Sequence, residues 1–155
     1  MIKITRFDTG YAECCGSTLG KEESLPNYGK MLYARHSPIR AIMFRIEMVV
    51  PSFVSVHFVR HKIGVEHFVQ SMRDDKTTVK ADRDTLVRHV MVCNAEAVLN
   101  MAAKRLCGKA HAQTRAVMQD IKFAMSSIDL ALSYQMLPPC ADAKCRELVS
   151  CKEEK

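Results

Sequence analysis

The sequence predicts an α+β fold from three observations. Residues 41–50 alternate apolar and polar side chains, as a half-buried strand does, with one face formed by Ile42, Phe44, Ile46 and Met48. Residues 65–72 and 85–93 are rich in side chains that favour strands. Two helical segments then follow, 94–109 and 112–137, and the second ends at Pro138-Pro139.

The other elements of the first half follow in chain order. Residues 2–5 alternate and predict a short strand, whereas residues 8–27 are rich in Gly, Ser, Thr and charge and predict a loop with little core. A helix over 28–35 should end before Ser37-Pro38, because the residue before proline disfavours helical geometry. Pro51 suits the first turn of a helix that runs to the basic triplet Arg60-His61-Lys62.

The second half begins at Gly64. In a strand over 65–72, Ser71 and Arg73 share a face with Val69, while Gln70 lies on the opposite face. Residues 74–84 are polar and predict a loop. Asn94 is the expected cap of the helix over 94–109, and Gly108 is its expected end.

Composition limits the class of protein. At 155 residues and 48% hydrophobic content, the chain predicts one domain over 1–155, with a loop-rich N-terminal segment (1–30) and a cysteine-containing tail (138–155). A formal charge of +6 favours anionic partners: nucleotides, nucleic acid or a membrane surface. The apolar region 41–59 is interrupted by Arg45, Glu47 and Pro51, which excludes a membrane span, and no secretory signal is visible, so we expect a cytoplasmic protein.

The triplet Arg60-His61-Lys62 is a candidate binding site for phosphates joined to flat rings. Arginine offers a planar fork of donors, lysine a mobile charge, and histidine a ring that hydrogen-bonds or stacks. A solvated basic helix end is the alternative interpretation, since cations complement a helix C-terminus.

A stripe on the helix after Cys93 has polar residues at both ends. Asn94, Val98, Met101 and Arg105 recur at intervals of four, three and four, so they share one face. The ends lie about 16 Å apart, a distance that suits a nucleotide-sized ligand. The alternative is a buried stripe whose ends reach solvent.

Seven cysteines in an intracellular chain favour reduced thiols or metal ligands over disulfides. Cys93 and Cys107 are expected in the core. A structural zinc site built from two loops would draw on the remaining thiols, Cys14, Cys15, Cys140, Cys145 and Cys151.

These motifs together resemble the flavin-dependent thymidylate synthases. That family shows a His/Ser-Pro segment, a strand, a Pro-initiated helix and an Arg-His-Arg triplet, and this chain has His36-Ser37-Pro38, a strand, Pro51-Ser52-Phe53-Val54 and Arg60-His61-Lys62. The helix over 94–105 is similar to the family's Asn-x5-Asn-x4-Arg helix, here Asn94, Asn100 and Arg105. The resemblance covers residues 33–118.

The resemblance implies a homotetrameric α+β protein, an antiparallel sheet packed with helices, that binds FAD between subunits. It also implies methylation of dUMP or a related pyrimidine nucleotide, with methylenetetrahydrofolate as carbon donor, reduced flavin as hydride source and NADPH as reductant. No protein nucleophile is required, because the protein mainly positions cofactor and substrate. The implied cofactor-binding residues are Arg60, His61, Lys62, Asn94 and Asn100.

The substrate-binding residues depart from the family pattern at several positions. Arg105 matches the family's nucleotide-binding arginine. Gln70 stands where the family has serine, and Ser71-Met72-Arg73, one residue later, would restore its Ser-x-Arg. His57 replaces a substrate-binding glutamine, and Arg83 is the nearest match to an arginine before Leu-Pro. Lys62 also replaces the third residue of the triplet. Because most of the departures lie at substrate-binding positions, flavin binding is better supported than dUMP methylation.

Three hypotheses from different classes follow. The chain is a flavin-dependent nucleotide methyltransferase, a catalytically silent relative that binds nucleotide or flavin, or a small basic nucleic-acid-binding protein. The third is the weakest, because the chain has four Tyr, six Phe and no Trp, and its positive residues do not interleave with exposed aromatics.

Overall fold

A four-stranded antiparallel sheet, in the order β1-β2-β4-β3, forms the centre of the computed structural model, which describes residues 2–20, 26–73, 75, 80–142, 145 and 147–151. The strands are β1 (Ile2–Asp8), β2 (Ile42–Pro51), β3 (Val65–Val69) and β4 (Leu86–Asn94). The helices are α1 (Tyr11–Leu19), α2 (Tyr28–Ala34), α3 (Ser52–Val59), α4 (Ala95–Arg105), α5 (Ala112–Ser126) and α6 (Leu130–Gln135). Two 3-10 turns complete the set, Ser37–Ala41 and Pro139–Asp142. The predicted α+β class is confirmed.

The core lies between one face of the sheet and the helices. Strand β2 pairs with β1 through Ile4 and Ile46, and with β4 through Ile46 and Met91. The alternation predicted for β2 is confirmed, because its apolar positions are buried at Ile42, Phe44, Ile46, Met48 and Val50. The opposite face of the sheet carries polar and exposed apolar side chains, including Val49 and Leu86.

The N-terminal segment differs from its prediction as a loop. Strand β1 continues to Asp8, whose carboxylate accepts hydrogen bonds from the N–H groups of Gly10 and Tyr11 at 2.8 and 2.7 Å and so starts α1. Cys15 of α1 is buried in the core. Composition predicted a loop here because glycines and hydroxyl residues outnumber the few side chains that anchor the helix.

Two helix ends differ from their predictions. Asn94 caps α4 as predicted, since its Oδ1 accepts from the Ala97 N–H at 2.9 Å, but the helix ends at Arg105 rather than Gly108. The single helix predicted over 112–137 is two helices. Asp129 separates them, because its carboxylate accepts from the Leu132 N–H at 2.9 Å and from the Tyr28 hydroxyl at 2.8 Å.

Strand β3 is shorter than predicted. It ends at Val69, so Ser71 and Arg73 lie beyond it and do not share a strand face. Of the loop predicted over 74–84, residues 74 and 76–79 lie outside the described residues. Residues that follow this gap hold the start of α3, because the Ser52 N–H donates to the Thr85 carbonyl and the Phe53 N–H to the Arg83 carbonyl. Within the described ranges, no helix is long and apolar enough to cross a membrane.

Candidate functional site

Six cationic or imidazole side chains gather at the C-terminal end of α3, and we call this group the basic cluster. Helix α3 and the two residues after it supply three members, and one each comes from the loop before β4, the last turn of α4 and the residue that precedes α5. Its members are His57, Arg60, His61, Arg83, Arg105 and His111.

Arg105 joins α4 to the end of α3. Its Nε donates to Nε2 of His61 at 3.0 Å, and its Nη2 donates to the backbone carbonyl of His57. Val98 and Met101 of the same stripe are buried in the core. Arg105, the next residue of the stripe, is half-buried and contacts the triplet at the edge of the core. Asn94, at the other end of the stripe, lies against Gly64, where its Nδ2 would be 2.6 Å from an added Cβ.

Aromatic rings line a second side of the basic cluster. The Arg83 guanidinium stacks over Phe53, 4.8 Å from the ring centroid. His111 and His57 meet the same ring edge-on, at 5.1 and 6.0 Å between centroids. His57 Nδ1 also lies 2.6 Å from the Thr114 hydroxyl.

Sequence reasoning missed Phe53, His111 and Thr114 as parts of this site. Phe53 was noted only as part of the family-like Pro51-Ser52-Phe53-Val54 segment, without a binding role. His111 and Thr114 lie at the start of α5, the helix that follows Arg105. A histidine at the start of that helix was the signal in the sequence.

Burial and neighbouring cations favour the neutral form of His57 and His61. Burial is the main reason that the pKa of His57 lies below its ordinary value, and Arg105, His111, Arg60 and Arg83 lower it further. Burial, followed by Arg105 and His67, lowers the pKa of His61 to about 4. Burial and then Arg60 also lower the pKa of Arg105.

Among the described residues, the guanidinium groups of the basic cluster have no acidic partners. None of Arg60, Arg83 and Arg105 forms an ion pair with a residue that the structure describes, and the same is true of the exposed Lys62. Uncompensated guanidiniums beside neutral, hydrogen-bonding imidazoles form an environment that favours a phosphate or pyrophosphate group.

Other predicted site residues lie away from the basic cluster or have local partners. Asn100 is exposed and accepts a hydrogen bond from Arg35 at 3.3 Å. Gln70 extends the pairing of β3 with β4 through both backbone and side-chain bonds to Arg88. It also lines an open groove of about 640 Å³ on the sheet face. Arg73 pairs with Asp75 at 2.9 Å, and its N–H meets the Ser71 hydroxyl.

The cysteines do not form the predicted two-loop zinc site. Cys14 and Cys15 lie in α1, not in a loop, and Cys15 is buried. The tail thiols instead line a small cavity beside Cys107, formed in part by Cys140, Cys145 and Cys151. In the described part of the chain, no group of three or more His, Cys, Asp or Glu residues could hold a metal ion.

Comparison by sequence finds no matching family model and no matching curated protein. Comparison of structures does find relatives of this fold. The UMP/dUMP methylase PolB from Streptomyces cacaoi, bound with 5-Br dUMP, has a TM-score of 0.65 and 13% identity over 90% of this chain and 98% of its own. The flavin-dependent thymidylate synthase ThyX from Helicobacter pylori, complexed with FAD and dUMP, has a TM-score of 0.68 and 10% identity over 87% of this chain and 99% of its own. The fold of this chain is therefore that of two nucleotide-modifying enzymes.

Proposed function

We propose that the chain is a flavin-dependent methyltransferase that converts dUMP, or a related pyrimidine deoxynucleotide, to its methylated product. The proposal rests on the position of the basic cluster within this fold. The basic cluster lies at the end of α3, in a fold shared with a methylase bound to 5-Br dUMP and a synthase bound to FAD and dUMP.

The residues present fit the diphosphate part of FAD. Arg60 and Lys62 are exposed and free of ion pairs with any described residue, so they would bind the phosphates without losing an existing partner. His61 has a neutral ring whose Nε2 already accepts from Arg105, and it would contact the cofactor through its Nδ1–H. Asn94 and Asn100 complete the proposed cofactor set.

The proposed substrate residues divide into two groups. His57, Arg83 and Arg105 belong to the basic cluster and would bind the nucleotide phosphate. Gln70, Ser71 and Arg73 follow β3 and would contact the pyrimidine, an assignment that depends on the family motif. Bound FAD would supply the hydride when reduced by NADPH, and methylenetetrahydrofolate would supply the carbon.

The first experiment is the absorbance spectrum of the purified protein with and without added FAD. A yellow protein that retains FAD supports the proposal, and formation of dTMP from dUMP, methylenetetrahydrofolate and NADPH would establish the reaction. FAD binding without turnover would favour a catalytically silent relative instead. Failure to bind FAD, combined with DNA binding that weakens steeply with salt, would favour the nucleic-acid hypothesis.

A further inference from the structure

A chain of hydrogen bonds runs from the core to the basic triplet. The Ser55 hydroxyl of α3 lies 3.0 Å from Nδ1 of His89, and Nε2 of His89 lies 3.0 Å from Nδ1 of His67. Nε2 of His67 then lies 2.7 Å from the backbone carbonyl of His61. The chain therefore links α3, β4 and β3 to the middle residue of the triplet.

The carbonyl at the end of this chain determines the position of every proton in it. A carbonyl only accepts, so His67 must carry its proton on Nε2, and the Nδ1 of a neutral ring must then accept. His89 must therefore donate from Nε2 and accept at Nδ1 from the Ser55 hydroxyl. All three hydrogen bonds therefore run in the same direction: Ser55 donates to His89, His89 donates to His67, and His67 donates to the His61 carbonyl.

The surroundings favour the neutral form of His89. The residue is fully buried, at 0% exposure, although strand β4 could carry an apolar side chain at that position. Burial, followed by the neighbouring His67, lowers the pKa of His89 to about 4. Both nitrogens of this buried ring are satisfied by the chain, which is the condition for a tolerable buried polar group.

We propose that Ser55, His89 and His67 position the Arg60-His61-Lys62 segment for ligand binding by holding the backbone carbonyl of His61. They act through the segment and touch no ligand. The same residue, His61, is held from the other side by Arg105, so its backbone and its ring are fixed by separate partners. This inference extends the proposed function, because the segment is the proposed FAD phosphate site.

The first test reads the tautomers directly in the unliganded protein. Nitrogen NMR of protein labelled with ¹⁵N-histidine, at about pH 8, where imidazoles are neutral, should show His67 and His89 both protonated at Nε2. A His67 protonated at Nδ1 would refute the chain, whether or not the protein binds flavin.

The second test compares two substitutions at one position, His67→Gln and His67→Leu. The glutamine amide supplies an N–H donor and a carbonyl acceptor, whereas leucine supplies neither. By fluorescence titration with FAD, His67→Leu should lower affinity about fivefold, the effect of one lost hydrogen bond. His67→Gln should retain near-wild-type affinity, because its amide can donate to the His61 carbonyl and accept from His89.

Each outcome decides between the positioning role and a purely structural one. Equal FAD affinity in the wild type and His67→Leu would overturn the positioning role. An equal loss in both variants would overturn it as well, because it would indicate a requirement for the imidazole and not for the chain. A wild-type protein that binds no FAD would instead refute the proposed function, and the tautomers would still decide whether the chain exists.

Discussion

Arg60 and Arg105 carry the same charge but differ in what they already bind. Arg60 is exposed and has no ion pair with a described residue, so its guanidinium is available to a ligand. Arg105 is half-buried and holds both the His57 carbonyl and the His61 ring. Loss of Arg60 should therefore affect binding alone, whereas loss of Arg105 should affect binding and folding together.

Replacement of Arg60 by Ala should weaken FAD binding with little change in melting temperature. The lost contact is a charge-assisted hydrogen bond to phosphate, which contributes about 1.5 to 3 kcal/mol, or roughly ten- to a hundredfold in affinity. Lys30→Ala is the matched control, since it removes one exposed positive charge from α2, outside the basic cluster. Unchanged affinity in Arg60→Ala would show that the cofactor phosphates bind elsewhere.

Arg105→Lys should lower both nucleotide affinity and stability. The sequence indicated only a binding role for Arg105, because the stripe shows the face on which the residue lies but not its hydrogen-bond partners. The structure adds two hydrogen bonds from the guanidinium fork, and a lysine keeps the charge without that geometry. We expect a loss of about 1 to 3 kcal/mol in the free energy of unfolding, measured by urea denaturation. An unchanged urea midpoint would contradict the bonding described for Arg105.

At the scale of secondary-structure elements, the sequence predicted the strands and helices that carry a local signal in their residue pattern. The alternation of β2, the proline at the start of α3 and the asparagine cap of α4 are local signals, and each is confirmed. The misplaced boundaries depend on long-range partners. Asp129 separates α5 from α6 because the Tyr28 hydroxyl, 101 positions earlier in the chain, donates to its carboxylate, and no local window contains that contact.

The turn after the triplet depends on the absence of a side chain at Gly64. Its φ is +70°, and an added Cβ would lie 2.6 Å from the Asn94 amide that caps α4. Gly20 provides a matched control, because its φ is +63° and nothing lies within 4 Å of an added Cβ. Gly20→Ala should cost about 1 to 2 kcal/mol from backbone strain alone.

Gly64→Ala should cost more than that, because it adds the collision with Asn94 to the same strain. Thermal melts of the two variants measure the difference. Equal losses would show that Asn94 moves aside freely and that the triplet loop and α4 are not coupled through this contact.

At the scale of the whole molecule, the candidate site could be predicted only in part. The triplet and Arg105 were identified from motifs, and the fold brings them within hydrogen-bonding distance. Phe53, Arg83 and His111 meet only because the loop before β4 and the start of α5 both pack against α3. Thr114 and the His67–His89 pair were missed for the same reason, since their partners lie 22 to 57 positions away.

Stability should fall as the pH drops from 7 to 5. The pKa values of His61 and His89 are about 4 in the folded chain, whereas an unfolded histidine titrates near 6.5. Below about pH 6.5 the unfolded chain therefore binds more protons, and the loss of stability continues until the pH reaches about 4. Urea midpoints at pH 7 and pH 5 measure this effect in a range where carboxylates remain ionised. A flat profile would show that both rings take up protons in the folded protein as readily as in the unfolded chain.

We expect the chain to assemble as a homotetramer whose copies share the flavin site. The guanidinium of Arg60 in the basic cluster and the ammonium of nearby Lys62 are both exposed. A cofactor with a large flat ring needs a second wall, which another copy of the chain would supply. FAD affinity and the tetramer should therefore decrease together on dilution, because separation of the copies removes half of each site. Light scattering and flavin fluorescence on the same dilution series would test this. A monomer that retains FAD at low protein concentration would establish a site complete within one chain.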